Sequence, residues 1–138
     1  MSSRLSVTAA LTLCAVLPLT AHHSHGNYDL TTWTAMDGTV KELHLLVPHS
    51  WIYLDVKNTD GSVTNWMVEA GAPNALLRRG WTKASLLPGT EILVEGYQAK
   101  DGANRANGRD ITFKDGKKLF VGSAGTGAPG DDQPGKSQ

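Results

Sequence analysis

Met36-Asp37-Gly38-Thr39-Val40, followed by Lys41-Glu42-Leu43-His44-Leu45-Leu46-Val47, carries the period-two pattern on which the fold prediction rests. Small or apolar residues take every second position up to Val40, and the apolar set then continues on the opposite parity from Leu43 to Val47. Strict alternation is typical of a half-buried β-strand, because successive side chains point to opposite faces. The change of parity predicts one long, bent first strand with a β-bulge near Glu42.

Outward from this strand, the same alternation predicts four more strands and one short helix. The strands are expected around Ile52-Tyr53-Leu54-Asp55-Val56 and over residues 63–70, 91–99 and 111–113. Pro73 opens a helical run over residues 74–79 that Gly80 ends, and a glycine- and asparagine-rich loop is expected over residues 101–108. Asp115-Gly116 can add a final hairpin. This order predicts an all-β fold with one short helix, a five-stranded OB-like Greek-key barrel, with a small irregular β-sandwich as the alternative.

The chain divides into four segments. Residues 1–21 are interpreted as a cleavable signal peptide, residues 22–32 as a histidine-rich N-terminal arm, residues 33–121 as the OB-like barrel, and residues 122–138 as a tail. The tail contains five glycines, two prolines and no large apolar residue, so we expect it to be disordered.

The signal peptide prediction rests on Arg4, on a mainly apolar run from Leu5 to Leu19, and on the small residue Ala21 before the histidines. The apolar run falls short of the roughly 20 residues that a membrane span needs, so we interpret it as removed rather than anchoring. An uncleaved anchor is the alternative, and a lipid anchor at Cys14 is disfavoured because Leu13 precedes it. The mature protein is therefore expected in the periplasm or secreted, with no stable membrane insertion.

Charge and cysteine content exclude several classes of protein. The 13 Lys and Arg residues fall to 12 when Arg4 is lost, against 13 Asp and Glu residues, so no basic surface for nucleic acid is expected. Cys14 is the single cysteine and leaves with the signal peptide, so the domain has no disulfide. The case for an enzyme is thin, because the chain has no glycine-rich phosphate loop, nucleophile elbow or cysteine nucleophile.

The histidines that follow the signal peptide predict a transition-metal site. Cleavage after Ala21 leaves a free amine on His22, and amines and imidazoles are the nitrogen donors that copper accepts, with zinc or nickel next. Cleavage after Thr20 instead leaves a copper-binding terminus with histidine third. The expected ligands are the arm histidines together with a distant imidazole and an added carboxylate: His22, His23, His25, His49 and Glu69. The arm spans at most about 40 Å, so its reach permits the site without specifying it.

Two other interpretations stay open. The histidines can be a solvated polar start, with His49 bonded to a backbone carbonyl and Glu69 paired with Arg78 or Arg79. The aromatic residues can form a platform for a small molecule or a partner without any metal, and they can equally be core fillers. The platform would use Trp51, Tyr53, Trp66 and Trp81, and whether Trp66 joins Trp51 depends on the strand register at Asp60-Gly61. Trp66 beside Met67 also permits a soft copper(I) site.

Five short patterns together resemble a family of small exported bacterial proteins, mainly proteobacterial, that is known only as a domain of unknown function. They are Ala21-His22-His23-Ser24, Pro48-His49-x-Trp51, Asn65-Trp66-x-x-Glu69, Gly80-Trp81 and Pro88-Gly89. The resemblance runs from about Ala21 to Leu119 and implies an exported small β domain without transferring an activity. The positions that match its pattern are His22, His23, His49, Trp66 and Glu69, whereas His25 and His44 lie outside it.

Overall fold

The computed structural model describes residues 24–123 of this 138-residue chain. Within that part, the chain forms six strands and one short α-helix: β1 (Tyr28–His44), β2 (Ser50–Lys57), β3 (Val63–Ala70), α1 (Pro73–Arg78), β4 (Glu91–Ala99), β5 (Arg105–Phe113) and β6 (Lys118–Phe120). The predicted all-β class with one short helix is confirmed. The predicted signal peptide, His22, His23 and residues 124–138 of the predicted tail lie outside the described residues.

Five of the strands form a closed ring of hydrogen-bonded neighbours. β1 pairs with β2 and with β4, β2 pairs with β3, and β4 pairs with β5, all antiparallel. The ring closes where β3 and β5 run parallel to one another, so the order around it is β1-β2-β3-β5-β4. The ring is barrel-like and contains the five strands of the predicted OB-like arrangement. β6 adds to the free side of β5 through the expected Asp115-Gly116 hairpin.

β1 is long and bent, as its sequence pattern predicts. Its register against β2 shifts between Val40 and Glu42, at the expected bulge. The strand starts at Tyr28 rather than near Trp33, so its first residues come from the segment that the sequence analysis assigned to the arm. It ends at His44, and Leu46 and Val47 are exposed in the connection to β2.

The prediction of a loop over residues 101–108 is wrong for residues 105–108, because β5 already begins at Arg105. Residues 105–107 pair with residues 67–69 and make the parallel closure of the ring. Asparagine and glycine have low β propensity, so the local sequence hides this strand. Pairing with β3 on one side and β4 on the other overrides that local preference.

The core fills the ring and continues under α1. Leu76 of α1 and Trp81 after it are buried with the inward side chains of the strands, and Gly80 ends the helix with a positive φ of 87°, as its position predicts. The buried cluster consists of Met36, Val40, Ile52, Leu54, Val68, Ala70, Leu76, Trp81, Leu86, Ile92, Val94, Ala106, Ile111 and Val121.

A polar turn bends the start of β1. The Asp29 carboxylate accepts hydrogen bonds at 2.6 Å from the hydroxyls of Thr31 and Thr32, and the register against β4 shifts between Tyr28 and Trp33. The Thr31 hydroxyl, then the Thr32 hydroxyl and the Thr31 amide, lower the pKa of Asp29 to about 2. This turn separates Tyr28 from the regular part of the strand.

Gly96 lies where the register between β4 and β5 shifts, and a side chain has no room there. A Cβ at this position would overlap the carbonyl oxygen of Asn107 on β5, which is backbone and cannot move aside cheaply. We expect Gly96→Ala to lower the free energy of unfolding by about 1–3 kcal/mol, as overpacking typically does. Gly26→Ala, where a Cβ meets nothing within 4 Å, is the control. Urea denaturation measures both variants, and equal stabilities would contradict the close approach of β4 and β5.

The Asp29 turn makes a pH-dependent prediction. The depressed pKa means that the turn contributes stability above the ordinary carboxyl value and loses it as the pH falls through about 2. Thr31→Val removes the first hydroxyl donor, so the Asp29 pKa should rise in a carboxyl-detected NMR titration. Asp60, whose pKa the Ser62 hydroxyl lowers in a separate turn, should titrate as before. An unchanged Asp29 pKa would show that Thr31 does not hold the turn.

Candidate functional site

Glu69 is a buried carboxylate near the end of β3. It stands between Val68 and Ala70, which belong to the core, so alternation points its side chain to the opposite face of the sheet. That face is normally solvated, yet Glu69 is only 4% exposed. A buried carboxylate is costly unless it is hydrogen-bonded or paired, so its surroundings decide what it can do.

Tyr28 covers Glu69. The Tyr28 hydroxyl donates a hydrogen bond of 2.6 Å to Glu69 Oε2, and the phenol itself is buried. Burial, then the hydrogen bond to Glu69, raises the pKa of Tyr28 well above its usual value, so the phenol stays protonated and remains a donor. The guanidinium of Arg105 lies 6.0 Å from the centre of the Tyr28 ring. The start of β1 is thereby tied to the end of β3.

The second oxygen of Glu69 faces His49, which directly precedes β2. His49 Nδ1 lies 3.4 Å from Glu69 Oε1, and the His49 side chain is about one-quarter exposed. Within residues 24–123, neither of these two buried atoms makes a hydrogen bond. The carboxylate therefore has one oxygen held by Tyr28 and one oxygen available to a further group.

The separation of these two atoms fits two ligands of one metal ion. Ligand atoms that share a tetrahedral ion at about 2.0–2.1 Å each lie about 3.3 Å apart. Imidazole nitrogen and carboxylate oxygen are donors that copper, zinc and nickel accept. Across the part of the chain that the structure describes, no three His, Cys, Asp or Glu side chains are grouped closely enough to hold an ion. His49 and Glu69 could therefore supply only part of a coordination sphere.

The N-terminal arm leads into this region. Residues Ser24–Asn27 form a 3-10 turn that runs directly into Tyr28, and Lys100 donates a backbone hydrogen bond of 3.0 Å to Asn27. His25 belongs to this turn, but its side chain lies outside the described part, as do His22 and His23. With the chain fixed at Tyr28, residues 22–28 span at most about 20 Å, half the reach expected from Trp33.

Glu69 does not pair with either arginine of the α1 region. Arg79 instead donates a hydrogen bond of 2.8 Å to the Gly122 carbonyl, and its guanidinium lies 4.8 Å from the centre of the Phe120 ring. The expected pairing is wrong, because the contacts of Glu69 are with Tyr28 and His49 instead.

The four aromatic residues of the alternative interpretation do not share one surface. Trp66 pairs with Leu54 and packs against the core, whereas Trp51 pairs with Glu69 on the opposite face. Trp81 is buried, and its indole donates a hydrogen bond of 3.2 Å to the Phe120 carbonyl. On the outer side of β2, the Tyr53 ring contacts the His44 ring, with centroids 4.8 Å apart and the ring planes tilted by 57°. Trp66 and Trp81 are thus core fillers, while Trp51 and Tyr53 face outward.

The positions of His44 and of the Trp66–Met67 pair also bear on the predicted metal sites. His44 Nε2 lies 2.6 Å from a carboxylate oxygen of Glu42, and the His44 side chain is 41% exposed, on the solvent side of β1. Trp66 and Met67 are neighbours on one strand, so they point to opposite faces and cannot both contact one copper(I) ion.

Sequence reasoning missed two residues of this region, Tyr28 and Asn107. Tyr28 lies in the segment taken for the arm, and Asn107 lies in the segment taken for a loop. Asn107 is in register with Glu69 across the β3–β5 closure, and it is 1% exposed. Among the described residues, its Oδ1 has no hydrogen-bond partner. The Asp29-x-Thr31-Thr32 turn was the one local signal that could have located the start of β1.

Comparison with known proteins identifies the family of the chain. No curated protein and no solved structure is significantly similar to it. No helix among residues 24–123 is long and apolar enough to cross a membrane. The family described as "Family of unknown function (DUF6152)" matches residues 10–108, which is well over half of the 138 residues. The resemblance noted from the sequence patterns is therefore confirmed: this chain belongs to the DUF6152 family of unknown function.

Proposed function

We propose that this protein is an exported metal-binding protein that holds a transition-metal ion, copper first, between its N-terminal histidines and the body of the domain. His49 and Glu69 supply the ligands from the body, and the arm supplies His22, His23 and His25. The single observation that carries the proposal is the pair His49 Nδ1 and Glu69 Oε1. These atoms are buried, 3.4 Å apart and, in the described chain, without a hydrogen bond.

The attachment of the arm supports this assignment. The hydrogen bond from Tyr28 to Glu69 holds the arm's last residues beside the carboxylate that would bind the ion. An ion that joins the arm to His49 would therefore close only a short loop, and short loops cost little entropy. A free amine on His22, or His23 in third position after cleavage following Thr20, then contributes nitrogen donors. Such donors bind copper(II) more tightly than zinc or nickel.

Export is part of the same proposal. The predicted signal peptide must be removed to free the terminal amine, so processing and metal binding are linked. Mass spectrometry of the protein recovered from the periplasm or medium gives its first residue. We expect His22 or Ala21, and a protein that retains residues 1–20 would contradict the terminal-amine ligand.

Copper titration of correctly processed protein tests the site. We expect one copper(II) ion per chain, and we expect His49→Ala or one glycine added before the first residue to weaken binding at least about tenfold, because each removes a ligand. His44→Ala is the matched control. It also removes one histidine from the body of the domain, but His44 contacts Glu42 rather than Glu69. Isothermal titration calorimetry measures all four proteins, with circular dichroism as the check on folding. Equal affinities would discard this site.

Removing the Tyr28 hydroxyl tests the attachment of the arm. In Tyr28→Phe, Glu69 Oε2 stays buried without its donor, which should lower the free energy of unfolding by about 1–3 kcal/mol. Tyr53→Phe is the control, because Tyr53 is only partly buried and contacts His44 through its ring, which the substitution keeps. Urea denaturation of the metal-free proteins measures both. A Tyr28→Phe protein as stable as the unchanged chain would mean that this hydrogen bond does not hold the arm.

A further inference from the structure

Asn107 is a buried polar side chain for which the fold itself provides no partner. It lies in β5, 1% exposed, and its Oδ1 accepts no hydrogen bond from any residue within 24–123. A buried amide oxygen without a donor costs about 1–3 kcal/mol, so a leucine of the same branching would suit the metal-free fold better. The presence of an amide at this buried position is therefore not explained by packing alone.

The register places Asn107 next to Glu69. The two residues are partners in the parallel β3–β5 pairing, so their side chains leave the same face of strands about 4.8 Å apart. Glu69 Oε1 also lacks a hydrogen-bond donor within the described residues. Acceptor oxygens on adjacent strands of one face are stabilised when a shared donor or a cation lies between them.

Arg105 lies two residues before Asn107 on β5, and its observed contacts are with other groups. Its Nη2 lies 3.5 Å from Asp101, and its guanidinium lies over the Tyr28 ring. His49 faces Glu69 Oε1 at 3.4 Å, whereas Asn107 Oδ1 has no hydrogen-bond donor within residues 24–123, and a bound cation would satisfy that amide oxygen.

We infer that Asn107 Oδ1 is a third ligand from the body of the domain, next to His49 Nδ1 and Glu69 Oε1, so that the body offers one nitrogen and two oxygens. This inference rests on the proposed metal site and specifies its ion class. Oxygen donors of the carboxylate and amide kind, joined by imidazoles, suit borderline divalent ions such as copper(II), whereas copper(I) prefers sulfur. The site is therefore selective for the oxidised, divalent ion.

Two substitutions of Asn107 separate metal affinity from the stability of the metal-free protein. One should lower the affinity without lowering the stability, and the other should lower the stability without lowering the affinity. Asn107→Leu removes the oxygen and should weaken copper(II) binding about tenfold, while the metal-free protein melts at the same or a higher temperature. Asn107→Asp keeps an oxygen ligand and should bind copper(II) as tightly or more tightly. Its metal-free form should melt lower, because it buries a second carboxylate beside Glu69. Copper(I), delivered with a competing chelator, should bind the unchanged protein more weakly than copper(II).

Calorimetry with copper(II) and thermal melting of the metal-free proteins give the result. Unchanged affinity in Asn107→Leu, while His49→Ala still weakens binding, would overturn the role of Asn107 and leave the proposed function intact. Absence of binding by the unchanged protein would overturn both. If Asn107→Leu does not fold, Asn107→Asp decides: a smaller rise in melting temperature with copper(II) than in the unchanged protein would also overturn the inference.

Discussion

The parallel pairing of residues 67–69 with residues 105–107 closes the ring of strands, and the candidate site lies on that closure. Without it, β3 and the first residues of β5 would be open edges, and the core side chains Val68 and Ala106 would lose their cover. The same pairing brings Glu69 and Asn107 side by side. One set of backbone hydrogen bonds therefore both closes the ring and places Glu69 beside Asn107.

A buried carboxylate on this closure demands compensation. Glu69 faces away from the core but is covered by Tyr28, so it has lost most of its hydration. One hydrogen bond from a protonated phenol satisfies one oxygen, and a charge-assisted bond of this kind contributes about 1.5–3 kcal/mol. His49 stands at ion-pair distance from the other oxygen. The arrangement is stable enough to hold the arm, yet it leaves acceptor capacity that a cation would use.

The regular part of the fold was predictable because it depends on local alternation. β3 and β4 have the predicted limits, the β1 bulge is at Glu42, and α1 begins at Pro73, since each is set by side-chain periodicity or by a proline or glycine. The start of β1 and the first half of β5 were not predictable from pattern. Tyr28 follows a polar turn, and Asn107 stands beside glycine, so only pairing with distant strands makes these segments extended. His49 and Glu69 were identified from the sequence, and the β2–β3 register brings them together, whereas the position of Asn107 beside Glu69 depends on the long-range closure.

The two oxygens of Glu69 have different roles in the proposed site. Oε2 binds Tyr28 and so fixes the arm whether or not an ion is present, while Oε1 faces His49 and adjoins the position of Asn107. Because the chain is already held at Tyr28, only a short segment separates the proposed arm ligands from this fixed point. Folding then meets most of the entropy cost of bringing the arm to the internal ligands, and the affinity of the proposed site depends on the donors themselves.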